Sequence, residues 1–278
     1  MSDRRGALHR AGWVAGSLVI VLVAVLPVLW IASLSLKSPA TVTDKRLWPA
    51  EPTLANYRSL FGSTLFTRAL LNSVGIGLLT AVLAVALATP AAYALARLEF
   101  RGKPLVLPLT LAVALFPPVA VLGALFDRWR ALGLYDTWPG LVIPYQSFAV
   151  PLALWTLTAF FRGLPWQLAD AAQADGATPG QAFRRVVVPL AQPGVLTAAI
   201  LVFLFAWNDL VFAISLTSSD RSRTVPAALA FFPGEEQFGD PVGSIAAAAV
   251  VVTVPVLVAV LVFQRRFVAG LTAGVVTA

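Results

Sequence analysis

Six stretches without a single charged side chain divide this sequence: 11–36, 69–96, 104–126, 137–161, 186–208 and 241–264. The shortest has 23 residues, and roughly 20 helical residues cross the hydrocarbon of a bilayer. Backbone groups left unpaired in lipid are prohibitively costly, so each stretch is predicted to be a helix through the membrane. Interior prolines, among them Pro27, Pro90 and Pro255, are predicted to bend these helices. The third stretch carries Pro117-Pro118 and is the one predicted to bend sharply or break. The expected fold is an all-α membrane protein of six transmembrane helices. Its organisation would be a short N-terminus (1–10), a transmembrane domain (11–264) containing a polar loop (162–188), and a C-terminal tail (265–278).

The polar segments set an orientation. Six spans put both termini on one side. If that side is the cytoplasm, its basic residues are Arg4, Arg5, Arg10, Arg97, Arg101, Lys103, Arg162, Arg184, Arg185, Arg265 and Arg266. Against them stand Asp3, Glu99, Asp170 and Asp175, so the whole formal charge of +7 falls on this face. The reverse orientation would oppose the positive-inside rule. A cleaved leader is the other reading of the first stretch, but its length exceeds the apolar core of a signal peptide. Trp13 near one end, with Trp30 and Trp48 towards the other, suits interfacial anchoring of a retained helix.

Composition removes several functions. Only 12% of the 278 residues are charged, against about a quarter in soluble domains. Cysteine is absent and His9 is the one histidine, which leaves no cysteine or histidine cluster for a metal and no thiol chemistry. Basic residues are spread thinly between apolar runs, without the stripe and aromatic platform that nucleic-acid binding needs.

The loop 162–188 is too polar to span a membrane, yet it reads as ordered. Ala169 to Ala174 is strong helix-forming sequence. Gly176 suits the stop, with its backbone free to take a positive φ. Thr178 suits the cap of a second helix and Pro179 its first position. Phe183 and Val186 to Val188 would lead that helix towards the membrane. A helix–turn–helix results, with Asp170 and Asp175 at either end of its first helix and small residues that let another protein approach. An amphipathic connector lying on the bilayer is the plainer alternative, but the first helix has few large apolar side chains to insert.

Asp170-Ala171-Ala172-x-x-Asp175-Gly176-Ala177, followed by Phe183 and Val188-Pro189-Leu190, resembles the EAA loop of binding-protein-dependent ABC importer permeases. Asp170 stands where that family commonly has glutamate. Asn56-Tyr-Arg-Ser-Leu-Phe61, Leu71-Asn-Ser73, Phe205-Ala-Trp-Asn-Asp-Leu-Val-Phe212 and Gln264-Arg-Arg-Phe-Val-Ala-Gly-Leu-Thr-Ala-Gly274 extend the likeness over nearly the whole chain. They resemble the carbohydrate branch, typified by the G component of the maltose permease. There the C-terminus commonly carries a lysine, whereas here it reads Val-Val-Thr-Ala278.

The resemblance implies that Asp170, Ala171, Ala172, Asp175, Gly176, Ala177, Phe183 and Pro189 couple the permease to an ATPase. It implies a second homologous permease subunit, two cytoplasmic ATPase subunits that bind ATP and Mg, and an extracytoplasmic substrate-binding protein. The location implied is the bacterial inner membrane and the mechanism alternating access. The chain itself has no Gly-rich phosphate loop, so no cofactor and no catalytic residue is expected in it. Polar residues within apolar runs are candidates for the translocation path: Asn72, Tyr145, Gln146, Trp207, Asn208 and Asp209. Asp209, close to the outer interface, reads first as a solvated or salt-bridged structural carboxylate and second as a lining residue of the path. Tyr145, Trp155 and Trp207 suit stacking on a sugar ring, packing or interfacial anchoring alike. A permease for a different small solute and an ion-driven secondary transporter are the remaining alternatives; the second lacks a convincing repeat or a midspan carboxylate.

Overall fold

A computed structural model describes residues 2–231 and 242–272. Every regular element among them is a helix. In chain order these are α1 (Ser2–Ser35), α2 (Ala55–Gly62), α3 (Thr64–Arg97), α4 (Lys103–Ala114), α5 (Pro118–Ala131), α6 (Trp138–Arg162), α7 (Gln167–Ala174), α8 (Pro179–Ala182), α9 (Val188–Leu190), α10 (Gln192–Trp207), α11 (Val211–Leu216), α12 (Val225–Ala230) and α13 (Val242–Thr272). A π-helical turn, Phe183–Val187, joins α8 to α9.

Each charge-free stretch falls on helix, though not always on a single straight one. The Gly12–Ser35 part of α1, α3 and α6 are each long and apolar enough to cross a membrane alone. Pro27 and Pro90 sit inside continuous helices, as does Pro255 in α13. Two further candidates are bent pairs: α4 with α5 at 78°, and Pro179–Leu190 with α10 at 70°. Val242–Val258 is a shorter apolar helix. The first bend follows from the proline pair. Pro118 drives Pro117 into an extended conformation (ψ 120°) and then opens α5 at its first position. The second bend differs from the expected straight run over 186–208. Val186 to Leu190 belong to the short helices before the bend, and the straight helix begins at Gln192. Hydropathy is blind to that bend, because the residues on both sides of it are apolar.

The chain forms two compact units, residues 1–67 with 231–254 and residues 68–230 with 255–278. In the first, Lys37 is buried, with its ammonium 4.9 Å from the Trp30 ring centroid. It donates to the carbonyl oxygens of Asp44 and Arg46, the latter at 2.8 Å. The Asn56 amide donates to the carbonyls of Ser35 (3.0 Å) and Lys37 (2.8 Å), tying α2 back to the end of α1. A buried charge and a buried amide thus organise the loop after the first helix, each satisfied by backbone oxygens.

In the second unit α6 is central. Leu141, Tyr145, Ala149, Ala153, Leu157 and Phe161 recur every fourth residue and are all buried. On α3, Ile76, Thr80, Ala84, Ala88 and Ala92 form a similar stripe of mostly small side chains. Small residues let membrane helices approach closely, where dispersion and short polar contacts hold them. At Gly194, in the first turn of α10, any Cβ would overlap the Phe160 ring of α6.

Candidate functional site

The polar segment after α6 builds the most defined surface feature of the second unit. Asp170 lies in the first turn of α7, where its charge complements the helix dipole. Asp175 is the C-cap, and Gly176 follows at φ +94°. Gly176 N–H donates to the Gln173 carbonyl and Ala177 N–H to the Ala172 carbonyl, both at 3.0 Å. This pair of bonds closes the helix end through a left-handed glycine. Two residues later Thr178 and Gln181 form a reciprocal capping box, and Pro179 occupies the first helical turn of α8. Val188 N–H then reaches back five residues to the Phe183 carbonyl, which widens the ladder into a π turn. Pro189 follows, with no N–H of its own to give the Arg185 carbonyl.

Ala171, Asp175, Gly176 and Pro189 are exposed, Ala172 and Ala177 half-buried. Phe183 turns inward instead. Its ring lies 4.8 Å from that of Tyr93 on α3, which also meets Trp166 at 5.9 Å and Phe161 at 6.5 Å. One charged side chain joins this cluster: Arg97, the last residue of α3, pairs with Asp170 and sits 5.4 Å from the Trp166 ring centroid. Sequence reasoning counted Arg97 only towards orientation. Its pairing spans 73 positions, which no local pattern encodes.

The polar residues of the apolar runs fall into different settings. Asn72 is buried; its amide donates to the carbonyls of Asp220 (2.9 Å) and Arg223 (3.0 Å) and accepts from Trp138 Nε1 (3.0 Å). Beside it, Ser73 Oγ accepts from Val225 N–H at 2.8 Å. Tyr145 is fully buried and donates its hydroxyl to Asp209 at 2.8 Å. The same Asp209 oxygen accepts from Ala213 N–H at 3.1 Å, in the first turn of α11. Trp207 is buried, its ring 5.4 Å from Phe203. Gln146 is half-buried, with one amide oxygen that has no partner in the structure, while Asn208 is exposed.

Another carboxylate, Asp136, holds the 217–224 loop. It accepts from the backbone N–H groups of Ser218 (3.0 Å) and Ser219 (3.1 Å), and from the hydroxyls of Ser219 and Ser222 (2.7 Å). Burial opposes its ionisation most strongly of any single influence, yet the hydrogen bonds together hold its pKa below the ordinary value. A pocket of about 470 Å³ lies beside the α4/α5 break, walled by residues such as Leu109, Val113, Phe116 and Phe212. Ser147 gives it a lone hydroxyl side chain.

Three comparisons bear on this arrangement. Residues 84–272 match the family described as binding-protein-dependent transport system inner membrane component. The chain is 56% identical over 271 residues to a trehalose transport system permease protein, SugB, of Mycobacterium tuberculosis, covering 98% of this chain and 99% of the relative. It is 41% identical to a sulfoquinovosyl glycerol transport system permease protein, SmoH, of Agrobacterium fabrum, covering 94% and 92%. It is 35% identical to a trehalose/maltose transport system permease protein, MalG, of Thermococcus litoralis, covering 98% of each. Among solved structures, a chain of a bacterial ABC transporter that imports the acidic polysaccharide alginate superimposes with a TM-score of 0.79, over 95% of this chain and 97% of that one, at 24% identity. That last likeness is one of fold.

Proposed function

This chain belongs to the family of binding-protein-dependent transport system inner membrane components, and from that premise we propose that it is the permease subunit of an ATP-driven importer of sugars or oligosaccharides. The observation that carries the proposal is the 56% identity, over nearly the full length of both chains, to a trehalose permease subunit. A trehalose-class disaccharide is therefore the first cargo to test. In this reading the chain crosses the inner membrane six times with both termini in the cytoplasm: the three long apolar helices and the two bent pairs support up to five of these crossings, and α13 is assigned the sixth.

In this reading the α7–α9 element faces the cytoplasm and docks on a separate ATPase. Asp170, Ala171, Ala172, Asp175, Gly176, Ala177 and the exposed Pro189 form the docking side, while Phe183 anchors it to the bundle. Two ATPase subunits bind ATP and Mg, close on them and swing the element, which switches the pathway between inward-facing and outward-facing states. A substrate-binding protein delivers sugar from outside. The apolar pocket offers a sugar little beyond the Ser147 hydroxyl. Asn208 is exposed and presents its amide oxygen, and a second homologous permease is assigned the remaining contacts.

Purification in mild detergent tests this. The expected result is recovery of an ATPase subunit and a second permease, with ATP-dependent disaccharide uptake after reconstitution. Uptake by this chain with no companion ATPase would refute it.

A further inference from the structure

Resting on the transport reading above, we infer that Arg97 is a positioning residue, the point at which the α7–α9 element grips helix α3. Its guanidinium makes two contacts at once. It pairs with the Asp170 carboxylate and lies 5.4 Å from the ring centroid of Trp166, the cap residue immediately before α7. A single side chain at the end of α3 therefore holds both the entry and the first turn of α7.

The charge order suits this grip. The C-terminal end of α3 carries partial negative charge, Arg97 is positive, Asp170 negative, and the N-terminal end of α7 partially positive, so every neighbour has the opposite sign. Tyr93 lies one turn before Arg97 on the same face of α3. Its ring contacts Trp166 and, beyond it, Phe183 at the start of the π turn. Arg97 and Tyr93 thus clamp α7 and the segment after α8 to one helix. Asp170 therefore has a partner within its own chain, and its carboxylate joins the docking side of the element to α3.

The pair is open to water, with the Arg97 and Asp170 side chains 38% and 53% exposed, so its share of overall stability is small. Its consequence lies in force transmission. With the brace cut, α7 follows the ATPase without carrying α3, and ATP is hydrolysed with less sugar moved.

The test uses the complex reconstituted with its ATPase partner and binding protein, with uptake and ATP hydrolysis measured in the same vesicles. Arg97→Gln and Asp170→Asn are each expected to lower sugar moved per ATP by about three- to fivefold. The double variant should be no worse than the worse single, and Arg97→Lys should retain most of the ratio. Multiplying losses in the double variant would overturn the inference, as would single variants with the wild-type ratio. Lower complex yield with an unchanged ratio would mark a merely structural pair and overturn it too. A wild-type complex lacking ATP-dependent uptake would instead refute the transport reading itself.

Discussion

Replacing Gly176 with valine perturbs the α7–α8 turn through the backbone alone. No atom lies within 4 Å of where a Cβ would stand, so the added side chain meets no clash. The cost comes from φ +94°, a region that side chains other than glycine seldom occupy. A left-handed conformation costs an ordinary residue about 1–2 kcal/mol, and a β-branched one towards 3 kcal/mol. If valine escapes to negative φ, the bonds from Gly176 and Ala177 to the Gln173 and Ala172 carbonyls go with it, at about 1 kcal/mol each. Either route disfavours the closed turn by about 2–3 kcal/mol, a factor of roughly 30 to 150 in its population. Asparagine tolerates this region and should lose far less, with alanine between them. In vesicles containing the assembled complex, sugar moved per ATP should therefore rank glycine, asparagine, alanine, valine. Full transport by Gly176→Val would refute the reasoning, and so would a loss with asparagine as deep as that with valine.

Gly194→Leu should overlap the Phe160 ring and cost about 1–3 kcal/mol, seen as a lower yield of monodisperse protein and partly restored by adding Phe160→Ala. Asn72→Ala removes two donated bonds and one accepted from Trp138; about 2–3 kcal/mol of stability should go, whereas Asn208→Ala, at an exposed side chain bonded to the Leu204 carbonyl, should change the melting temperature little. Asp136→Asn should lower the melting temperature at neutral pH. The folded-state pKa of Asp136 is depressed below 3.8, so its stabilisation is fully present above that pH and fades as pH falls through the folded value. The gap between wild type and variant should narrow in acid, and a gap that widens would contradict the assignment.

The pattern of apolar runs made most of the helices legible, because a bilayer leaves uncharged stretches of this length little alternative to helix. The turn after α7 was legible for a local reason: Gly176, Thr178 and Pro179 each suit a single backbone task within a few residues. Pro117-Pro118 marked the first bend in the same way. The bend at Ala191 and the π turn before it are written in packing, with apolar residues on either side, so hydropathy passed over them. The polar side chains were hardest to read. Asn72 lies 148 positions from Asp220, Tyr145 lies 64 from Asp209, and Asp136 lies over 80 from the serines it holds. A polar residue in an apolar run announces that it needs a partner but does not say which one. The serines at 218, 219 and 222 were the available signal for an anionic partner, and Asp136 in its short loop gave no matching cue.

The absence of cysteine from the chain allows the decisive measurement, a single-cysteine crosslink. Cysteine placed at exposed Ala174, at the end of α7, should link to the ATPase subunit in the assembled complex and resist a membrane-impermeant thiol reagent added outside intact cells. Cysteine at exposed Ala50, in the loop after α1, should behave in the opposite way on both counts. Labelling of position 174 from outside, or an ATPase that crosslinks at 50 and not at 174, would contradict the account.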